Sequence, residues 1–220
     1  MGNDLTFDLH IANVVSGANR LVGWALRTFR RRSRRLMLTV WKSIIQSKLD
    51  YCSQLWSPSN QGNIVKLEAV AKNFTSQISG LDGQDYWERL TSLKMYSQER
   101  RRERYQIIFI WKVSQNLVKG YSIPFKEHQR HGRLVDLPEV AKRCPAAVKN
   151  AYEGSLRIKG AKLFNLLPPE LRNLNGVLVE TFKANLDTWL GSVPDQPTIP
   201  GRQRAAATNS LLDQVPMLVA

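Results

Sequence analysis

The sequence predicts a mainly α-helical protein. It has an N-terminal three-helix bundle, then a long helix, then a small, partly irregular C-terminal region of short helices and a short strand pair. Three observations carry this expectation. Apolar residues recur at helical spacing through most of the chain. Proline and glycine punctuate those runs at intervals that suit short connections. The apolar share, 43% of 220 residues, is ordinary for a globular protein of one or two domains.

Phe7 to Phe29 fits an amphipathic helix, with Ile11, Val14, Val15, Ala18, Leu21, Val22, Ala25 and Leu26 in register and Thr6 placed to cap it. Gly17 and Gly23 lower helix propensity and point to close packing against a neighbour. A second helix, about Ser33 to Cys52, carries Leu36, Met37, Val40, Trp41, Ile44, Ile45 and Leu49 on one face, until Ser57-Pro58-Ser59-Asn60 stops it. A third, about Gln61 to Ser79, presents Ile64, Leu67, Val70, Ala71, Phe74 and Ile78, and Gly80 closes it as a C-terminal cap. Three helices on short connections make a bundle.

Asp82-Gly83-Gln84-Asp85 is a turn before a short helix, Tyr86 to Leu93. Ser97 to Lys119 is the long helix, charged at first and then apolar, capped by Ser97 and ended by Gly120. Pro124, Pro138 and Pro145 then break the pattern, and a strand pair is expected near Leu134 and Leu156. Lys159 to Leu167 and Val179 to Leu190 are the last helices. After Gly191 the shift to Pro, Gln, Thr, Ala and Ser predicts disorder. The segments are therefore 1–81, 82–120, 121–190 and a tail, 191–220.

The net charge is +14 and the pI about 10.1, a balance that points to phosphate: nucleic acid first, an anionic membrane second. No apolar run approaches the roughly 20 residues that span a bilayer. Asp4 and Asp8 sit where a secretory signal would be apolar, and Met1 to Thr6 meets the myristoylation pattern only as short patterns do by chance. Cys52 and Cys144 make no disulfide framework. The expectation is an intracellular protein of nucleus or cytoplasm, not secreted, with no membrane and no small-molecule substrate. Cys52 reads as a buried small apolar residue. Trp41, Trp111 and Trp189 fall on apolar stripes and read as core, while Trp24 and Trp56 have no assigned place.

The charge is clustered. Arg27, Arg30, Arg31, Arg32, Arg34 and Arg35 occupy six of nine consecutive positions between the first two helices, and Lys42 follows. Such an elbow is either a solvated turn or a contact for a polyanion. Clustering favours the polyanion, because like charges repel without a counter-charge and the guanidinium fork suits phosphate. A second cluster, Arg100, Arg101, Arg102 and Arg104, lies beside Glu99 and Glu103. It reads equally as nucleic-acid contact or as a helix face solvated by i,i+4 pairs.

Six pieces in order resemble the thumb and post-thumb region of reverse transcriptases from non-LTR (LINE-type) retrotransposons of the jockey and chicken-repeat branch. They are Leu5 to Ile11; the Leu49-Asp50-Tyr51…Trp56 box; Ile64 to Leu81; Tyr86-Trp87-Glu88-Arg89-Leu90 leading to Arg100; Phe164-Asn165-Leu166-Leu167-Pro168, with Phe where the family has Trp; and Phe182 to Asp187. The resemblance runs from about Asp4 to Leu190, and its weight lies in the order and spacing of the pieces. It implies that residues 1–81 are the polymerase thumb and that template–primer backbone is the partner, beside palm and fingers of the same polymerase. The catalytic aromatic-Ala-Asp-Asp hairpin has no counterpart here, since no two Asp are adjacent and Asp50, Asp82, Asp85, Asp136 and Asp187 are scattered. Cys144, His128 and His131 are too few for a zinc knuckle. The expectation is therefore no cofactor, no metal and no catalysis by these residues alone. The alternative is a helical protein–protein interaction module whose charge keeps it soluble.

Overall fold

The computed structural model describes residues 7–128, 132–137, 145–197 and 209–219. Thr6, Arg130, His131, Pro138 and Cys144 lie outside them. The described chain is mainly helical, and its strands form one two-stranded antiparallel sheet. It divides into two compact units, residues 1–101 and 102–220, where the sequence suggested four segments.

In the first unit, α1 (Asp8–Thr28) packs on α5 (Gln61–Thr75), with the broken second helix beside them. That second helix is α2 (Arg34–Val40), a π-helical turn (Trp41–Ile45) and α3 (Gln46–Asp50), followed by the single turn α4 (Ser53–Trp56). The expected apolar stripes make the core. Ile11, Ala18 and Ala25 meet Met37, Trp41, Ile45 and Leu49, and these meet Leu67, Ala71 and Phe74. Trp41 and Phe74 lie 5.0 Å apart, centroid to centroid. The expected bundle is there, with two corrections. Helix α5 ends at Thr75, and Gly80 takes its positive φ of 81° in the turn beyond. Cys52 is exposed at φ 50°, because the chain must reverse there between α3 and α4.

Next comes α6 (Tyr86–Leu93), which starts as expected. Asp85 and Glu88 form a reciprocal capping box, with each side chain accepting the other's backbone N–H at 2.8 Å. Ser97 caps α7 (Gln98–Ser114) as foreseen, accepting from the Arg100 amide at 3.1 Å. The helix ends before Lys119, and Asn116 has a left-handed φ of 56°. A part-buried polar chain fixes its first turn within this unit. The Trp41 indole donates to Gln46 at 2.8 Å, Gln46 to Asp50 at 2.7 Å, and Arg101 Nε and Nη2 reach Asp50 at 2.9 and 2.8 Å. Glu68 accepts the Gln98 amide at 3.0 Å and the Tyr86 hydroxyl. A carboxylate at that helix N-terminus also meets the positive end of its dipole.

In the second unit Ile107, Ile110 and Trp111 of α7 are buried, as are Leu163 and Phe164 of α9 (Ala161–Asn165) and Phe182 and Leu186 of α11 (Val179–Ser192), and Trp111 stacks on Phe182 at 4.3 Å. Its hairpin is β1 (Phe125–His128) with β2 (Gly132–Val135). Leu134 is therefore in a strand as expected, but its partner is Lys126. Leu156 opens a second π-helical turn (Leu156–Gly160) instead, where Gly160 lets the backbone close on Ile110: a Cβ there would meet Ile110 Cγ1 at 3.0 Å. Short helices α8 (Ala146–Glu153) and α10 (Pro169–Arg172), absent from the sequence reading, fill in around it. The Asn165 amide both donates to and accepts from Val135, at 3.0 and 2.8 Å, in place of a third strand.

The tail is corrected most. Residues 211–219 are helical (α12, Leu211–Val219), and Leu211 is buried. Glu103, itself buried, accepts the Leu211 amide at 2.9 Å and the Ser210 hydroxyl, so a carboxylate from α7 caps α12. Trp111 is core as expected; Trp189 is half-buried, and Trp56 is buried in the first unit with its indole donating to the Tyr51 carbonyl at 2.9 Å.

Asp50→Ala leaves Arg101 and Gln46 without their acceptor, and should cost about 2 kcal/mol in urea unfolding, less than a fully buried pair because both partners keep some solvent. Ending the chain at residue 208 strips the Glu103 carboxylate of two donors and should lower stability by about 1–3 kcal/mol, read as an earlier unfolding midpoint.

Candidate nucleic-acid interface

The elbow begins where α1 stops. Phe29 turns to extended backbone at φ −102°, ψ 100°, and Ser33 is still extended at φ −62°, ψ 147° before α2 starts. Between them the chain is held at two points. The Arg32 carbonyl accepts the Ser79 amide at 2.9 Å, and Arg32 Nη1 donates to Gln77 Oε1 at 2.6 Å. The segment is thereby tied to the turn that follows α5.

Arg32 is half-buried and structural. Arg27, Arg30, Arg31, Arg34, Arg35 and Lys42 are exposed. Arg34 makes one long contact, 3.5 Å, to the Ser92 carbonyl. None of these seven residues takes part in an ion pair described for the protein. The reason lies in the sequence: no Asp or Glu occurs between Asp8 and Asp50. Exposed cations without local counter-charges sum to a positive field that attracts polyanions.

The second arginine cluster is elsewhere and is corrected. Arg100 is 0% and Arg102 3% exposed, so neither can reach a phosphodiester. Arg101 is tied to Asp50, and Arg104 is paired with Asp187, Nη2 to Oδ2 at 2.7 Å. Nor is this a solvated face, since Glu99 and Glu103 are buried too. Helix α7 carries charges of both signs into the protein, where each needs a partner.

Two cations outside the elbow, Arg20 and Lys66, line a groove that Arg27 shares, and a third, Lys48, lies against α1 at Gly17. An open groove of about 770 Å³ runs along α1, lined by Ser16, Asn19, Arg20, Gly23, Arg27 and, from α5, Lys66. Gly23 leaves room for Arg27: a Cβ there would meet its guanidinium at 3.2 Å. Gly17 does the same for Lys48, at 3.2 Å from Cε. The close approach inferred for both glycines is thus to cationic side chains. The stretch without acidic residues was the available signal for Arg20 and Lys48. Lys66, on another helix, had none.

Among the described residues no group of three His, Cys, Asp or Glu is placed to hold a metal ion, and no helix is long and apolar enough to cross a membrane. No protein-family model matches the chain, and no curated protein or solved structure is significantly similar to it.

The two arginine clusters should separate in a stability assay. Arg31→Gln is expected within about 0.5 kcal/mol of the native protein, whereas Arg100→Gln should cost more than about 2 kcal/mol, measured by urea unfolding of each variant.

Proposed function

We propose that this chain grips the phosphodiester backbone of nucleic acid through the elbow and the basic face of α1. It does so as the thumb and post-thumb part of a non-LTR retrotransposon reverse transcriptase. Polymerase chemistry would belong to palm and fingers: no two Asp are adjacent in the sequence, and among the described residues no group of three His, Cys, Asp or Glu is placed to hold a metal ion for two-metal phosphoryl transfer. The observation that carries the reading is the exposed run Arg27, Arg30, Arg31, Arg34, Arg35 and Lys42, which has no carboxylate of its own and is held at Arg32 on the bundle. Contacts of this kind position a protein on the backbone and carry no sequence information. The ordered boxes in the sequence support the assignment to a polymerase thumb.

Three residues of those boxes make plain structural contacts, each within its own unit. Asp50 anchors Arg101, Asn165 pairs with β2, and Asp187 anchors Arg104. A second reading, a protein–protein interaction module, draws on the exposed Leu9, Tyr51 and Leu55 of the first unit, 77%, 76% and 67% accessible. It gives the arginines no task beyond solubility.

An RNA–DNA hybrid titrated with the full chain distinguishes the two. With about four phosphates engaged, the plot of log affinity against log salt should have a slope near −3.5, a roughly hundred-fold loss between about 50 and 200 mM. Replacing Arg30, Arg31, Arg34 and Arg35 together by Gln should flatten that slope and abolish most binding with the fold unchanged. Affinity indifferent to salt, or to the four replacements, would sink the proposal and leave the interaction module.

A further inference from the structure

Trp24 is the tryptophan that the fold leaves outside. It is 42% exposed, while Trp41, Trp56 and Trp111 are buried. Its described ring contact is to Phe29 at the start of the elbow, 6.0 Å between centroids at 85°. Phe29 is itself half-buried against the core. That perpendicular contact braces the indole without stacking another ring on it. Arg20 lies one turn before Trp24 on α1 and Arg27 three residues after it, so both neighbour it on the helix surface. Arg20 and Arg27 also line the groove, and Arg30 and Arg31 follow in the elbow.

The tryptophan is more than a third exposed, its described ring contact is with Phe29, and the residues beside it on the helix and in the elbow are cationic. The combination has two chemical halves. Guanidinium groups draw phosphates, and a braced aromatic side chain accepts the π-face of a base; together they make a platform for unpaired nucleotides. Tryptophan beside arginine also marks protein hot spots. The sign of the field favours the nucleic acid, because a polynucleotide offers a negative charge and a flat ring at every residue.

We propose that Trp24 is a base-stacking platform, and that the basic face around it takes a single-stranded polynucleotide, with phosphates on Arg20, Arg27 and the elbow and an unpaired base on the indole. The proposal rests on the backbone-binding reading and adds to it a preference for unpaired nucleotides.

The test compares two ligands of equal charge, an oligothymidylate and an abasic phosphodiester strand of the same length, bound to the full chain. Trp24→Leu keeps bulk and apolarity but removes the aromatic face; Trp24→Phe keeps a ring. Trp24→Leu should weaken oligothymidylate binding roughly ten-fold and leave abasic binding unchanged, while Trp24→Phe keeps most of the affinity. Several results overturn the proposal: Trp24→Leu binding oligothymidylate like the native chain, an equal loss on both strands, or a polyglutamate peptide binding as tightly as the oligonucleotide. If the native chain binds both strands equally and with steep salt dependence, the stacking claim falls and backbone binding stands. If neither strand binds at about 50 mM salt, both fall together.

Discussion

The carboxylate of Asp50 decides much of this structure. Arg101, Gln46 and, through Gln46, the Trp41 indole converge on it, so the first turn of α7 is fixed to the second helix of the bundle. Glu68 holds the same turn from α5 through the Gln98 amide. Burying charged groups is costly unless each is paired, and pairing is directional. The arrangement therefore fixes the register of α7 as an apolar contact would not. Further along, Asp187 holds Arg104, and Glu103 caps α12.

The same constraint sorts the arginines. Those on α7 have carboxylates nearby and are drawn inside. Those of the elbow sit in a stretch of chain without acidic residues and stay in water. Two clusters of similar composition thus have different physics. Exposed guanidinium groups that the fold has not neutralised are available to an external polyanion. The hold at Arg32, from Gln77 and the Ser79 amide, limits how far the segment carrying them can move, which under the proposed reading would lower the ordering entropy of binding.

The helical period showed the core of the first unit almost residue by residue, because α1, the second helix and α5 each bury one stripe. The turn before it placed the start of α6, and a capping serine placed that of α7. Legibility failed where the determining partner was distant. Residues 211–219 look disordered by composition, yet they are helical, with Glu103 placed to accept the Leu211 amide and the Ser210 hydroxyl at the helix start. Leu156, expected near a strand beside Leu134, opens a π-helical turn whose Gly160 comes close to Ile110, a residue remote in the chain. Cys52 looked like core and is outside, since its position in the chain reversal overrides its apolarity.

By itself, the sequence determined the helical class, the three stripes of the bundle and the presence of a dense cationic elbow, because periodicity and local charge density are properties of neighbouring residues. Tertiary structure decided which cations face water. It buried Arg100 and Arg102, tied Arg101 and Arg104 to carboxylates remote in the chain, and brought Lys66 to the groove beside Arg20 and Arg27. The energy of a charge depends on what surrounds it in space, and residues far apart in sequence supply those surroundings.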